Sequence, residues 1–156
     1  MGLRVDSLAD LPEQVRQQVG GKIAAQTANK YHNRKIEING IRFDSRKEAK
    51  RYVQLMHAMR VGAIRDLRLQ VDFTLQEAYT DWHGNRIRAI RYRADFTYQL
   101  TGDFPASISA EDRELWRRYI ESGKETVVED VKGVKTQAYK LKEKLMAKKG
   151  VSIREV

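Results

Sequence analysis

The chain contains no cysteine. Disulfides and thiolate metal sites are therefore excluded, and a reducing compartment is the default expectation. Histidine is almost as scarce: His32, His57 and His83 are the full set, and they show no zinc-ligand spacing. No apolar run approaches the ~20 residues that a membrane-spanning helix needs. The N-terminus lacks a charged start followed by an apolar segment, so no secretory signal is expected and the cytoplasm is the expected location. Internal repeats, low-complexity tracts and phosphate-binding glycine loops are also missing.

Positive charge is what the chain has in excess. Lys and Arg number 30 against 21 acids in 156 residues, a formal charge of +9. That balance points to a polyanionic partner, most simply nucleic acid, without distinguishing binding from cleavage. The length suits one domain with a real core.

The pattern is organised around Val127-Val128-Glu129-Asp130-Val131-Lys132-Gly133. Its valines predict a buried strand. Alternation puts Val128, Asp130 and Lys132 on one face and Val127, Glu129 and Val131 on the other. An acid and a lysine at i and i+2 on a sheltered strand are costly unless paired or used. An ion pair at a strand end is one reading. A carboxylate that holds a cation beside a lysine that steadies a phosphodiester's developing charge is the other.

In chain order, residues 1–34 read as a basic arm with a short helix near Leu11-Pro12-Glu13. Ile36 to Phe43 alternates around Asn39-Gly40, a hairpin signal with a type I′ turn. Ser45-Arg46-Lys47-Glu48 forms a capping box for a helix running to about Arg60. Its expected apolar stripe is Ala49, Tyr52, Val53, Leu55, Met56 and Met59, with Lys47 and Arg51 on the wet side as candidate nucleic-acid contacts. Glu48 can serve the cap or point under the helix toward a metal. Strand-like segments follow at Ile64–Leu69 and Val71–Gln76, then a hairpin turn at Asp81-Trp82-His83-Gly84-Asn85.

Ile90 to Tyr98 alternates strictly. Ile90, Tyr92, Ala94, Phe96 and Tyr98 are expected on one face, with Arg91, Arg93, Asp95 and Thr97 on the other. Asp95 could pair with Arg93, or be a second metal carboxylate on the strand paired with 126–132. Residues 101–125 look like a helical insertion that could pack on the domain, contact nucleic acid or form a dimer contact. A last helix is expected from about Lys135 to Lys149, burying Ala138, Leu141 and Leu145. Its Gln137, Lys140, Lys144 and Lys148 would form either a phosphate-binding row or a solvated face. Val151 to Val156 can add a closing strand.

The order helix(Glu48), strand(Asp95), strand(Asp130-Val131-Lys132), helix resembles the PD-(D/E)XK nuclease superfamily. The phrases Phe43-Asp44-Ser45-Arg46-Lys47-Glu48-Ala49, Tyr92-Arg93-Ala94-Asp95-Phe96 and Val128-Glu129-Asp130-Val131-Lys132-Gly133 look like those of a family of small phage and prophage proteins assigned to it. The resemblance implies an α/β (α+β) fold with a mixed central sheet flanked by helices, restriction-endonuclease-like, over residues 35–156. It also implies metal-dependent hydrolysis of DNA phosphodiesters, on branched or recombination intermediates by analogy with Holliday-junction resolvases. Asp95 and Asp130, the Val131 carbonyl and Glu48 would hold Mg2+ or Mn2+, and Lys132 would orient the attacking water. Ala94 stands where many members have proline. Gln137 matches a helical glutamine of some branches. Glu129 is set aside as a ligand because alternation turns it to the other face. A homodimer is expected for paired incision. The competing functions are a non-catalytic nucleic-acid-binding protein on the same fold and an assembly protein using the insertion and the arm.

Overall fold

Asn39-Gly40 reverses the chain as its sequence demands. Both residues have positive φ, 53° and 76°, and they join strand β1 (Ile36–Ile38) to the antiparallel β2 (Ile41–Phe43). These and the elements below come from a computed structural model that describes residues 35–131 and 134–156. The expected arm at 1–34, Lys132 and Gly133 lie outside the described residues.

Helix α1 (Arg46–Arg60) starts at Ser45, whose hydroxyl accepts from the Glu48 amide at 3.1 Å. It ends at Gly62, φ 78°, where the Ala63 amide donates to the Ala58 carbonyl and the Gly62 amide to that of Met59. A side chain at this left-handed position would be strained, which is why glycine closes the helix here. The remaining elements are β3 (Ile64–Gln76), β4 (Tyr79–Thr80), β5 (Arg86–Ile87), β6 (Ile90–Leu100), α2 (Ala110–Glu121), β7 (Thr126–Asp130), α3 (Gln137–Lys148) and β8 (Ile153–Glu155). The fold is mixed α+β, with a four-stranded central sheet in the order β3-β6-β7-β8. Its first two pairings are antiparallel, and β7 and β8 are parallel. Among the described residues no helix is long and apolar enough to cross a membrane.

The described residues gather into two compact units, where the sequence suggested one domain with an insertion. One takes in residues up to Ala63 together with Gly102–Arg118; the other takes in Ile64–Thr101 and Tyr119–Val156. In the first unit, Phe43 packs on Tyr52 with ring centroids 5.0 Å apart, and Phe104 packs on Trp116 at 5.6 Å. The expected α1 stripe holds for Ala49, Tyr52 and Leu55, but Met59 is exposed and Ala58 is buried instead.

Arg51 departs from expectation most clearly. It is buried rather than wet, and its guanidinium donates to both carboxylate oxygens of Asp112 at 2.9 Å. A fork so engaged is not offered to a phosphate, so Arg51 is corrected from a nucleic-acid contact to a structural one. Asp112 also accepts from the Ser109 hydroxyl at 2.9 Å. The first part of the 101–125 segment is therefore tied to α1 within this unit.

In the second unit, α3 covers one face of the sheet. Tyr139 and Met146 from α3 join Tyr92, Ala94 and Val128, with Phe73, Leu75, Val151 and Ile153 packed around them. The expected stripe of Ala138, Leu141 and Leu145 is incorrect: Ala138 and Leu141 are exposed, and Leu145 is only partly buried. Tyr139 and Met146, seven residues apart, share a helix face and present the larger side chains to the sheet. Gln137, Lys140, Lys144 and Lys148 are exposed, as expected.

Strand β6 also departs from unbroken alternation. Tyr92 and Ala94 pack toward α3 with Val128, yet Tyr98 donates its hydroxyl to Glu129, on the opposite face of β7. The strand therefore changes face between Ala94 and Tyr98. The β3–β6 pairing keeps its register there, from Leu69 opposite Phe96 to Val71 opposite Ala94, although Gln70 between them has φ 50°; the register shifts of this pair lie at Arg65–Arg68 and Thr74–Gln76.

Candidate functional site

Asp95 follows Ala94 on β6. Its carboxylate accepts from the Val131 amide at 2.7 Å, so it reaches the end of the neighbouring strand. Asp95 directly precedes Phe96, which pairs with Glu129 on β7. Arg93, the other candidate partner for Asp95, instead donates to Asp72 at 2.8 and 2.9 Å. That hydrogen bond holds the Asp72 carboxyl below its ordinary range.

Asp130 is wholly buried at 0 % exposure. It lies on the α3 face with Val128, as alternation requires. Around it stand Tyr92, Tyr139 and, in register on β8, Glu155. The Tyr139 hydroxyl donates to Glu155 at 3.4 Å, and Lys135 bridges Glu155 and Glu143. Burial first, and then the charge of Asp130, pushes both tyrosine hydroxyls far above the usual tyrosine range. Both hydroxyls therefore stay neutral beside the acids.

The other face of the same strand is built differently. Glu129 is also 0 % exposed, but it accepts from Arg154 at 2.9 Å and from the Tyr98 hydroxyl. Arg154 stands opposite it in the parallel β7–β8 register. Alternation is thus right to separate Glu129 from Asp130.

Glu48 belongs to the other unit. There its carboxylate accepts from the Ser45 hydroxyl at 3.1 Å and from the Asp44 amide at 3.3 Å, so it serves the helix cap. Lys47 is exposed beside it. Lys132 lies outside the described residues. Among the described residues no group of three or more His, Asp and Glu is spaced to hold a metal ion. The structure therefore brings together Asp95, Asp130 and the Val131 backbone.

Sequence reasoning missed Tyr92, Tyr139, Glu155 and Lys135 as neighbours of Asp130. Tyr139 carried a signal, as the largest side chain in the first turn of its helix. Glu155 carried none, because a parallel register cannot be read locally.

A family model described as "Protein of unknown function (DUF1064)" matches residues 28–106, just over half of the chain. The chain belongs to that family. The DUF1064 match takes in Glu48 and Asp95 and ends before β7, so Asp130 and Lys132 fall beyond it. No curated protein and no solved structure matches the chain.

Proposed function

We propose that this DUF1064 protein is a metal-dependent endonuclease that hydrolyses DNA phosphodiesters on a restriction-endonuclease-like, PD-(D/E)XK fold. One observation supports the reading above the rest: the Asp95 carboxylate is bonded to the Val131 amide, which seats it beside buried Asp130 at the end of β7. Acids from two adjacent strands reach the same end of the sheet, which supports the reading.

The donor set fits the implied ion. Carboxylate oxygens and the Val131 carbonyl are hard ligands of the kind Mg2+ and Mn2+ prefer. Mg2+ keeps several waters and commonly takes only one or two protein carboxylates plus substrate phosphate, so Asp95 and Asp130 suffice as the protein's share. When bound, the ion would supply an activated water and neutralise charge on the scissile phosphate. Tyr139, kept neutral, would hold the Asp130 carboxylate in place. Lys132 would orient the water or stabilise the developing charge. Glu48, a further ligand by the resemblance, is engaged in the α1 cap of the other unit and is not counted in this donor set.

The exposed row Gln137, Lys140, Lys144 and Lys148 would track a phosphate backbone, with Lys47 as a further contact. The same row favours a second reading, a nucleic-acid-binding protein that does not cut. Branched or recombination intermediates are the proposed substrates. A homodimer in the cytoplasm of a bacterial host, with the gene carried by a phage, would suit paired incision.

The test offers purified protein labelled linear duplex, single strand, RNA, fork and four-way junction, with magnesium, manganese or chelator, beside Asp130→Asn. Metal-dependent cutting that disappears in the variant is expected. Tight binding without cutting under either metal would replace the nuclease with the binding protein.

A further inference from the structure

The β4–β5 hairpin projects from the β3–β6 ribbon between Gln76 and Ile90 and takes no part in the central sheet. Its tip carries Trp82, 88 % exposed and the most exposed large apolar side chain among the described residues. A lone exposed hydrophobe needs no explanation. This one is held in position. The Asp81 carboxylate accepts from the amides of His83 at 2.9 Å and Asn85 at 2.7 Å, and from the Asn85 side chain at 3.1 Å. The Asp81 amide donates to the Asn85 carbonyl at 2.9 Å, which closes the turn. The His83 ring lies beside the indole, with centroids 3.4 Å apart and the ring planes tilted 36° to each other. The indole is left largely open to water.

The chain returning from this tip is basic. Arg86, Arg88 and Arg91 are all exposed. Two of the three acids nearby, Asp81 and Asp72, are engaged. Asp81 is engaged by the turn, which holds its carboxyl below the ordinary range, chiefly through Asn85. Asp72 is taken by Arg93, which leaves exposed Glu77 at the base of the hairpin.

We infer that the β4–β5 hairpin is a stacking finger for single-stranded nucleic acid: exposed Trp82, held by the Asp81 turn, takes an unpaired nucleobase, and Arg86, Arg88 and Arg91 hold the adjoining phosphates. The chemistry is that of sequence-tolerant strand binding, an aromatic platform beside cations. The inference rests on the nucleic-acid reading above and deepens it. It directs the protein to unpaired nucleotides, such as those at forks and junctions.

The test measures binding of the full chain in chelator, so that nothing is cut. Labelled single-stranded DNA, RNA of the same sequence, blunt duplex and duplex with a single-stranded tail are compared for wild type, Trp82→Ala and Trp82→Phe. Trp82→Ala should weaken single-strand and tailed-duplex binding about 5- to 100-fold and blunt-duplex binding by less than about twofold, whereas Trp82→Phe keeps most of the affinity. Tryptophan emission should fall on strand binding in wild type and not in Trp82→Phe, because Trp116 is buried at 1 % exposure. The DNA and RNA arms identify the strand. Unchanged single-strand affinity in Trp82→Ala, with wild type binding well, would overturn the finger and leave the nucleic-acid reading standing. If wild type binds none of the four probes, that reading itself fails and the finger with it.

Discussion

Glu129 and Asp130 are consecutive residues of one strand, both fully buried, and they face opposite surroundings. Glu129 meets Arg154 and the Tyr98 hydroxyl, so its charge is matched and its oxygens are bonded. Asp130 meets Tyr92, Tyr139 and the neighbouring acids Asp95 and Glu155. A buried acid given a complementary cation is a structural device, as Asp112 is with Arg51 in the other unit. Asp130 shares its face with tyrosine hydroxyls and with other acids, of which Glu155 is bridged by Lys135, a setting that a bound cation would suit. The difference between the faces of β7 therefore separates scaffold from candidate chemistry.

The largest expected effect breaks the scaffold side. Arg154→Ala leaves Glu129 buried without its cation and should cost about 3–5 kcal/mol, read from the urea midpoint. A loss below about 1 kcal/mol would show that the Glu129 face is not what holds β8 to the sheet. On the other face, Asp95→Ala should reduce cleavage at least about 100-fold while leaving most DNA binding. Equal activity would remove the proposed metal site.

A smaller effect concerns the α3 lysines. Lys140→Gln with Lys144→Gln should lower the slope of log affinity against log salt by about 1.8 on duplex DNA, and an unchanged slope would make the row a solvated face. The smallest concerns pH. The folded chain keeps the Tyr92 proton that the unfolded chain loses near pH 10. Stability from this group is therefore complete below about pH 10 and declines as pH rises further. Tyr92→Phe should make the alkaline decline shallower by about 1.4 kcal/mol per pH unit, measured as urea midpoints between about pH 9 and 12. A decline of the same steepness would show that Tyr92 titrates normally.

Much of this arrangement was legible in the sequence, because it is local. Asn39-Gly40 specified its hairpin, and Ser45 with Glu48 specified the start of α1. Period-two alternation along Val127 to Asp130 separated Glu129 from Asp130. The closing strand after Gly150 formed as expected. What escaped depends on contacts distant in sequence. Arg51 reads as a wet-face cation until Asp112, 61 residues away, arrives beside it. The α3 stripe was misplaced because the sheet selects Tyr139 and Met146 over smaller Ala138 and exposed Leu141. Glu155 reaches Asp130 only through the parallel register.

The most direct test compares Glu129→Gln with Asp130→Asn in one preparation, each read by urea unfolding and by metal-dependent cleavage of a forked DNA. The account predicts that Asp130→Asn abolishes cleavage with stability within about 1 kcal/mol of wild type or above it. It predicts that Glu129→Gln loses stability while the folded fraction still cuts. The reverse pattern, cleavage lost in Glu129→Gln and kept in Asp130→Asn, would place the chemistry on the opposite face of β7 and contradict the account.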